Sequence, residues 1–263
     1  MEQQVFAYAA EPARPRPFAY LSSQWPMRAD LVEAHRRSWE SLRKPGTWWT
    51  GAERVALAEQ VRAAADCDVC RERKAALSPY SVATEHPADP LLPAAAVDAV
   101  HRIASDPARL SQKVVEDTVA AGLSDGHYVE LLSVVIMLAS IDRVHLALGL
   151  ELEALPIPDS GEPSQRRPER AVVDVGWVPM LTLGKTKNSP ESDLFADLPI
   201  APNVIRALSL VPNAVRELRV LNAGHYMHEK NVGNPGSNGG RALERRYIEL
   251  VGARTSALNE CFY

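Results

Sequence analysis

Apolar side chains recur along this chain at helical spacing, and almost nowhere do they alternate. In "MRADLVEAHRRSWESLRK" (27–44) Leu31, Ala34, Trp39 and Leu42 share one stripe, and the run stops at the breaker pair Pro45-Gly46. "TGAERVALAEQVRAAAD" then opens with Thr50 and Glu53 at the spacing of a capping box, a better account of Glu53 than catalysis. Its face of Val55, Ala58, Val61 and Ala65 leads straight into "CDVC", so the pattern delivers two cysteines to a helix junction. Further helices are predicted at 93–105, 108–121 and 124–148. The last begins at the cap candidate Ser124, ends at Gly149 and is apolar nearly all round its middle, the mark of a central buried helix. No segment reads as a convincing strand, and the predicted class is all-α.

The same pattern divides the chain. Residues 1–26 form an N-terminal extension and 27–150 a helical domain. Residues 151–200 form a connecting region whose stretch 156–168 is rich in Pro, Ser, Gly and Arg, as a surface linker is, and whose remainder is irregular. Helical patterning resumes over 201–263, with Pro212 as a break, the loop "GNPGSNGG", and a final helix at about 240–260 leading to Cys261. That loop lacks the Lys-Ser/Thr of a phosphate cradle and does not follow a strand, so it reads as a flexible connection.

Charge narrows the partners. The 29 basic and 33 acidic side chains leave a net charge of −4 with no dense Lys/Arg run, which disfavours nucleic acid and anionic lipid. No apolar run approaches the roughly 20 residues of a membrane span. At the N-terminus an acid stands at Glu2 and the basic residues follow the short apolar patch, the wrong order for a secretory signal. Three cysteines, two of them in one C-x-x-C, are too few and too clustered for a secreted disulfide framework, and the expected location is a reducing cytoplasm.

The chemistry gathers at Cys67 and Cys70. Two sulfurs at the start of a helix come within bonding distance, and free backbone N–H groups there favour a thiolate. Arg71, Arg73 and Lys74 add positive charge, offset by Asp66, Asp68 and Glu72. The plainer alternative is a pair of inert buried cysteines. A structural zinc needs about four ligands. Cys67, Cys70 and Cys261 with one histidine are conceivable, but there is no second C-x-x-C or H-x3-H, and nothing joins His225 and His228 to the cysteines; neither metal nor cofactor is expected. His127, Glu130, Asp142 and His145 lie on the central helix, where hydrogen-bonded burial explains them more simply than a pocket. Tyr80 and His86 follow the cysteine helix and could cover it, though such loop residues are usually turns; Trp48 and Trp49 read as packing, and His35 and His101 carry no functional reading.

These residues resemble the alkylhydroperoxidase AhpD-like, or carboxymuconolactone decarboxylase-like, superfamily, whose signature is a Glu, eleven residues, C-x-x-C, three residues and a His. Glu249, "LVGARTSALNE" and Cys261 match its first part, and "DPARLSQKVVEDTVAAGLSDGHYVELLSVVIMLASIDRVHLALGL" resembles its helical body. The likeness covers about 27–150 and 201–263 and looks most like tandem members, with the second unit stopping inside its own motif. At the first motif Val55 stands where the family has Glu, and Lys74 where it has His. The resemblance implies an AhpD-like bundle with C-x-x-C at a helix junction plus an incomplete second unit, assembled as a homo-oligomer.

It further implies a thiol-dependent oxidoreductase. Cys70 would attack a small hydroperoxide and become a sulfenic acid, Cys67 would donate the proton and then close the disulfide, and a thiol protein or small thiol would reduce it. Lys74, one turn beyond Cys70, would favour the thiolate electrostatically. Cys261 and Glu249 would be the remnant of a second site unable to turn over. Reduction of a partner's disulfide is the neighbouring activity, and a non-catalytic helical oligomerisation or interaction protein is the alternative from another class.

Overall fold

The computed structural model describes residues 17–196, 198, 200–259 and 261. Most of the N-terminal extension, with the expectation about a secretory signal, lies outside the described residues, as do Phe262 and Tyr263. The fold is all-α: among the described residues there is no β-strand, only one isolated antiparallel bridge between Val172 and Met180. No helix among them is long and apolar enough to cross a membrane.

The amphipathic stripe of 27–44 becomes α1 (Ala29–Leu42), which buries Ala34, His35, Trp39 and Leu42. Helix α2 (Gly51–Ala63) starts on the predicted capping box: the Thr50 side chain accepts from the Glu53 backbone N–H, and Glu53 accepts from the Thr50 N–H at 2.8 Å. A 3-10 turn (Ala64–Asp66) and an extended Cys67 lead into α3 (Asp68–Ala75), so the helix ends one turn before the cysteines instead of running into them. Helix α4 (Ala94–Ser105) and α5 (Gln112–Ala120) follow, separated by a 3-10 turn at Pro107–Arg109. The long α6 (Asp125–Ala147) is capped by Ser124, and Gly149 lies just past its end with φ +66°, the left-handed conformation a glycine adopts without strain.

Leu131, Leu138 and Ile141 of α6 are fully buried, each stabilising the fold by about 1.5–3 kcal/mol. Helices α2 and α4 pack on α6 and on each other, and α5 closes that side. The linker is extended and pinned: Asp159 N–H donates to the Arg43 carbonyl and Gln165 N–H to that of Thr47, both at 2.7 Å. Short helices α7 (Leu183–Thr186) and α8 (Asn203–Arg206) precede α9 (Pro212–His225). Pro212, expected as a break, is the first residue of α9, where its missing N–H costs nothing.

The second helical segment does not stand apart. Leu208, Leu210, Val211, Val215, Leu218 and Leu221 join Trp39, Leu42 and the α6 side chains in one continuous core. Helix α9 lies along α1 so closely that a Cβ on Gly224 would sit 2.7 Å from that of Ala34. After α10 (Glu229–Val232), α11 (Arg245–Leu258) buries none of its residues.

Where α1 meets α9, His35 Nε2 and His225 Nε2 are 2.8 Å apart, with Tyr20 bonded to His35, His145 close enough to act on it electrostatically and Arg28 near His225. Burial, then the neighbouring histidines, pushes His35 down to about 3; burial, then Arg28, pushes His225 to about 4. Both folded values lie below the unfolded 6.5, so as pH falls the unfolded chain takes up protons that the folded chain refuses. Stability is therefore full above pH 6.5 and falls as the pH is lowered towards 4. Between pH 7 and 5, His35 alone should cost about 2 kcal/mol; equal urea midpoints at the two pH values would contradict this.

Candidate functional site

Cys67 caps the N-terminus of α3 and is half-buried, whereas Cys70, in the first turn, is 4% exposed. The thiols are free, and their sulfurs lie within 4.8 Å of each other. Two imidazoles meet them: Cys70 Sγ is 3.2 Å from His101 Nδ1, and Cys67 Sγ is 3.4 Å from His86 Nδ1. His101 comes from the apolar face of α4, among Val97, Val100 and Ile103; His86 comes from the loop before α4.

The protons on these rings follow from their neighbours. Gln60 Nε2 donates to Asp89 at 2.8 Å, which turns Gln60 Oε1 towards His101 Nε2 at 3.0 Å. An amide oxygen only accepts, so His101 carries its proton on Nε2 and aims the Nδ1 lone pair at Cys70. Asp89, Gln60, His101 and Cys70 thus form one directed chain. At His86, Arg73 donates to Nε2 at 3.1 Å, so the neutral ring holds its proton on Nδ1 and donates to the Cys67 sulfur. Arg73 also binds Asp98, which bonds Arg102 at 2.7 Å. Burial works against Asp98, but the hydrogen bonds from Arg102 and Arg73 outweigh it and hold the carboxyl below its usual range.

Burial also pushes the Cys70 thiol up to about 11 and His101 down to about 4, so the resting pair is a neutral thiol beside a neutral imidazole. Burial, then Arg73, lowers His86 too. Beside Cys70 is a cavity of about 20 Å³ bordered by Arg73, Arg102, Ser105 and Arg109. That is room for about one water-sized molecule, and Asp106 also borders it; the three arginines are paired with Asp98 and Asp106.

The other expected site residues lie elsewhere. Lys74 is exposed and its Nζ donates to the Ser105 carbonyl at 3.4 Å. Val55 is in the core, so the two family relay positions do not meet; Gln60 and His101 occupy the neighbourhood instead. Cys261 is exposed, and Glu249 is bound by Tyr226 and Arg245. Tyr80 reaches Ser111, and Arg102 stacks over its ring at 5.4 Å. On the central helix the four groups singled out from sequence each have a structural partner: Glu130 is held by Arg54, Asp142 by Arg62 at 2.8 and 2.9 Å, His145 through Nδ1 by the Glu151 carbonyl, with its Nε2 buried and unbonded, and His127 by Ser124. His101, given no role from sequence, is central; the available signal was an imidazole on an apolar helical stripe, which does not reveal a partner 31 residues away.

Comparison with family models, curated proteins and solved structures found no match to this chain.

Proposed function

We propose that the chain is a thiol-dependent oxidoreductase that reduces small hydroperoxides through Cys70 and Cys67. The observation that carries this is the directed chain from Asp89 through Gln60 and His101 to Cys70: a nucleophile, a base within reach, and a third group that orients the base. A thiol as basic as buried Cys70 is a poor nucleophile unaided, and the His101 lone pair at 3.2 Å gives its proton a place to go as the sulfur attacks, a transfer made costly by the same burial that holds His101 down to about 4.

In the first step the Cys70 sulfur takes the terminal oxygen of ROOH, giving Cys70 sulfenic acid and ROH; the thiol proton passes through His101 to the alkoxide. In the second, the Cys67 sulfur attacks Cys70, forms the disulfide and releases water. Two thiols lose two electrons and the peroxide gains them. The hydrogen bond from His86 Nδ1 stabilises Cys67 as it loses its proton. An external dithiol or two small thiols must reopen the bond. The cavity, with room for about one water-sized molecule, must widen slightly to admit the two oxygens of a peroxide.

The chelator-treated, reduced chain mixed with one equivalent of peroxide should lose the Cys67 and Cys70 thiols together and gain an internal disulfide, seen by mass spectrometry. Cys70→Ser should leave Cys67 reduced, whereas Cys67→Ser should leave a dimedone-reactive sulfenic acid on Cys70. Thiols that survive excess peroxide would refute the reading and leave the non-catalytic alternative.

A further inference from the structure

The two histidines do more than flank two thiols one by one. We propose that Cys67, Cys70, His86 and His101 bind one Zn²⁺ ion as a tetrahedral Cys2His2 site in the reduced chain. The Sγ atoms and ring nitrogens of all four residues lie within 4.8 Å of one another, with Cys70 to His101 at 3.2 Å and Cys67 to His86 at 3.4 Å. Zn–S and Zn–N bonds of about 2.3 and 2.0–2.1 Å require corner-to-corner separations of about 3.3–3.8 Å in a tetrahedron. The two S···N edges already have that length within about 0.4 Å, and the widest pair needs to close by about 1.5 Å at most. Hydrogen bonds account for each thiol–imidazole pair separately. They do not account for a donor atom from each of the four residues lying within 4.8 Å of the other three.

The surroundings supply what zinc ligands need. A ligating histidine donates its other N–H to a fixed acceptor. For His101 that acceptor is in place: Gln60 Oε1, itself locked by Asp89. For His86 it is Asp98 Oδ1, 3.6 Å from Nε2; on metal binding the ring proton moves from Nδ1 to Nε2, and Arg73 keeps its bond to Asp98 alone. His86 also departs from its own loop. Thr84, Glu85, Pro87 and Ala88 around it are exposed, yet its side chain is 3% exposed and turned into the cluster. Two thiolates neutralise the ion, so no net charge is added beside Arg73 and Arg102. Mixed sulfur and imidazole donors in four-coordinate geometry select zinc over magnesium or calcium. Neither Lys74 nor Cys261 belongs to the set.

Binding stands on this geometry alone. A further consequence rests on the proposed peroxide chemistry: oxidation removes both thiolates and releases the ion. The balance is Zn(S⁻)₂ + ROOH + 2H⁺ → S–S + ROH + H₂O + Zn²⁺, with the sulfurs oxidised and the peroxide reduced. The bound ion would then hold the pair in reserve until it is chelated or displaced.

The test is an anaerobic titration of the reduced full chain with Co²⁺, whose tetrahedral ligand-field bands and thiolate charge-transfer band report the donor set, followed by displacement with Zn²⁺. Saturation at one Co²⁺ per chain with tetrahedral bands is expected, unchanged in Cys261→Ser. Cys67→Ser and Cys70→Ser should each weaken the charge-transfer band. His86→Ala should weaken binding by about ten-fold or more; because His86 sits on an exposed loop, this variant keeps the test decisive if His101→Ala fails to fold. No saturable Co²⁺ binding, octahedral bands only, or an affinity untouched by His86→Ala would each overturn the site. Adding peroxide to the Co²⁺ form separates the two readings. Bands that disappear in step with the two thiols support the release step, whereas a tetrahedral complex that persists retains the metal site and sinks its release by peroxide.

Discussion

Replacing Glu130 by alanine should destabilise the fold by about 3–5 kcal/mol, the penalty for leaving a buried charge without its partner. Glu130 is wholly buried on α6, where an acid in so apolar a helix requires compensation. Its Oε1 accepts from Arg54 at 2.8 Å, and its Oε2 accepts from the backbone N–H groups of Thr47 and Trp48 at 3.0 and 2.6 Å. Arg54 is 3% exposed and also approaches Glu217 of α9, which in turn holds Ser41 of α1. One carboxylate therefore ties the turn after α1, the start of α2 and, through Arg54, α9 to the central helix. Burial raises its pKa while Arg54 and the two N–H groups oppose that rise; the three donors require an ionised acceptor. Alanine would strand a guanidinium and two amides. Gly46 belongs to the same construction, because a Cβ there would collide with the Glu130 carboxylate and the Arg54 guanidinium. Guanidinium chloride unfolding of Glu130→Ala should show the lost stability, and a change under about 1 kcal/mol would mean that Glu217 alone satisfies Arg54.

That arrangement marks the limit of what could be read from sequence. The capping box at Thr50, the long helix from Ser124 and the stops at Pro45-Gly46 and Gly149 are local features, set by side chains within one turn of the backbone they control, and each lies where the pattern placed it. Glu130 was legible as a satisfied acid but not as the partner of Arg54, since nothing in a helical period names a residue 76 positions away. The connecting region shows the same limit. Its Pro-rich composition describes a surface path correctly, yet composition is blind to the apolar stripe of α9 returning to the same core as α1. At the site, spacing brought Cys67 and Cys70 together, but the family pattern pointed to positions 55 and 74, which here hold a core valine and an exposed lysine. The groups that serve the sulfurs arrive from another helix and a loop, and a tertiary contact of that kind leaves only a weak trace: an imidazole where the stripe would otherwise be aliphatic.

His101→Ala should slow the oxidation of Cys70 in the chelator-treated chain by about 10²–10⁴-fold, the usual contribution of a positioned general base. The expectation is large because the His101 ring is the nitrogen base bonded to the thiol; its other partners, the Ser105 side chain, Cys67 and the His101 carbonyl at 3.9 Å, are poor acceptors of its proton. Gln60→Ala should produce a smaller loss, since Gln60 acts only by fixing which ring nitrogen carries the proton. A general weakening of the core would also slow the reaction, and added imidazole tells the two apart. The alanine variant leaves a space of the ring's own shape beside the sulfur, so imidazole should recover part of the rate if the ring's role is chemical. A rate that is unchanged in His101→Ala would remove the base from the mechanism. A slow rate that imidazole fails to lift, in a chain whose unfolding midpoint has also dropped, would reduce His101 to a packing residue.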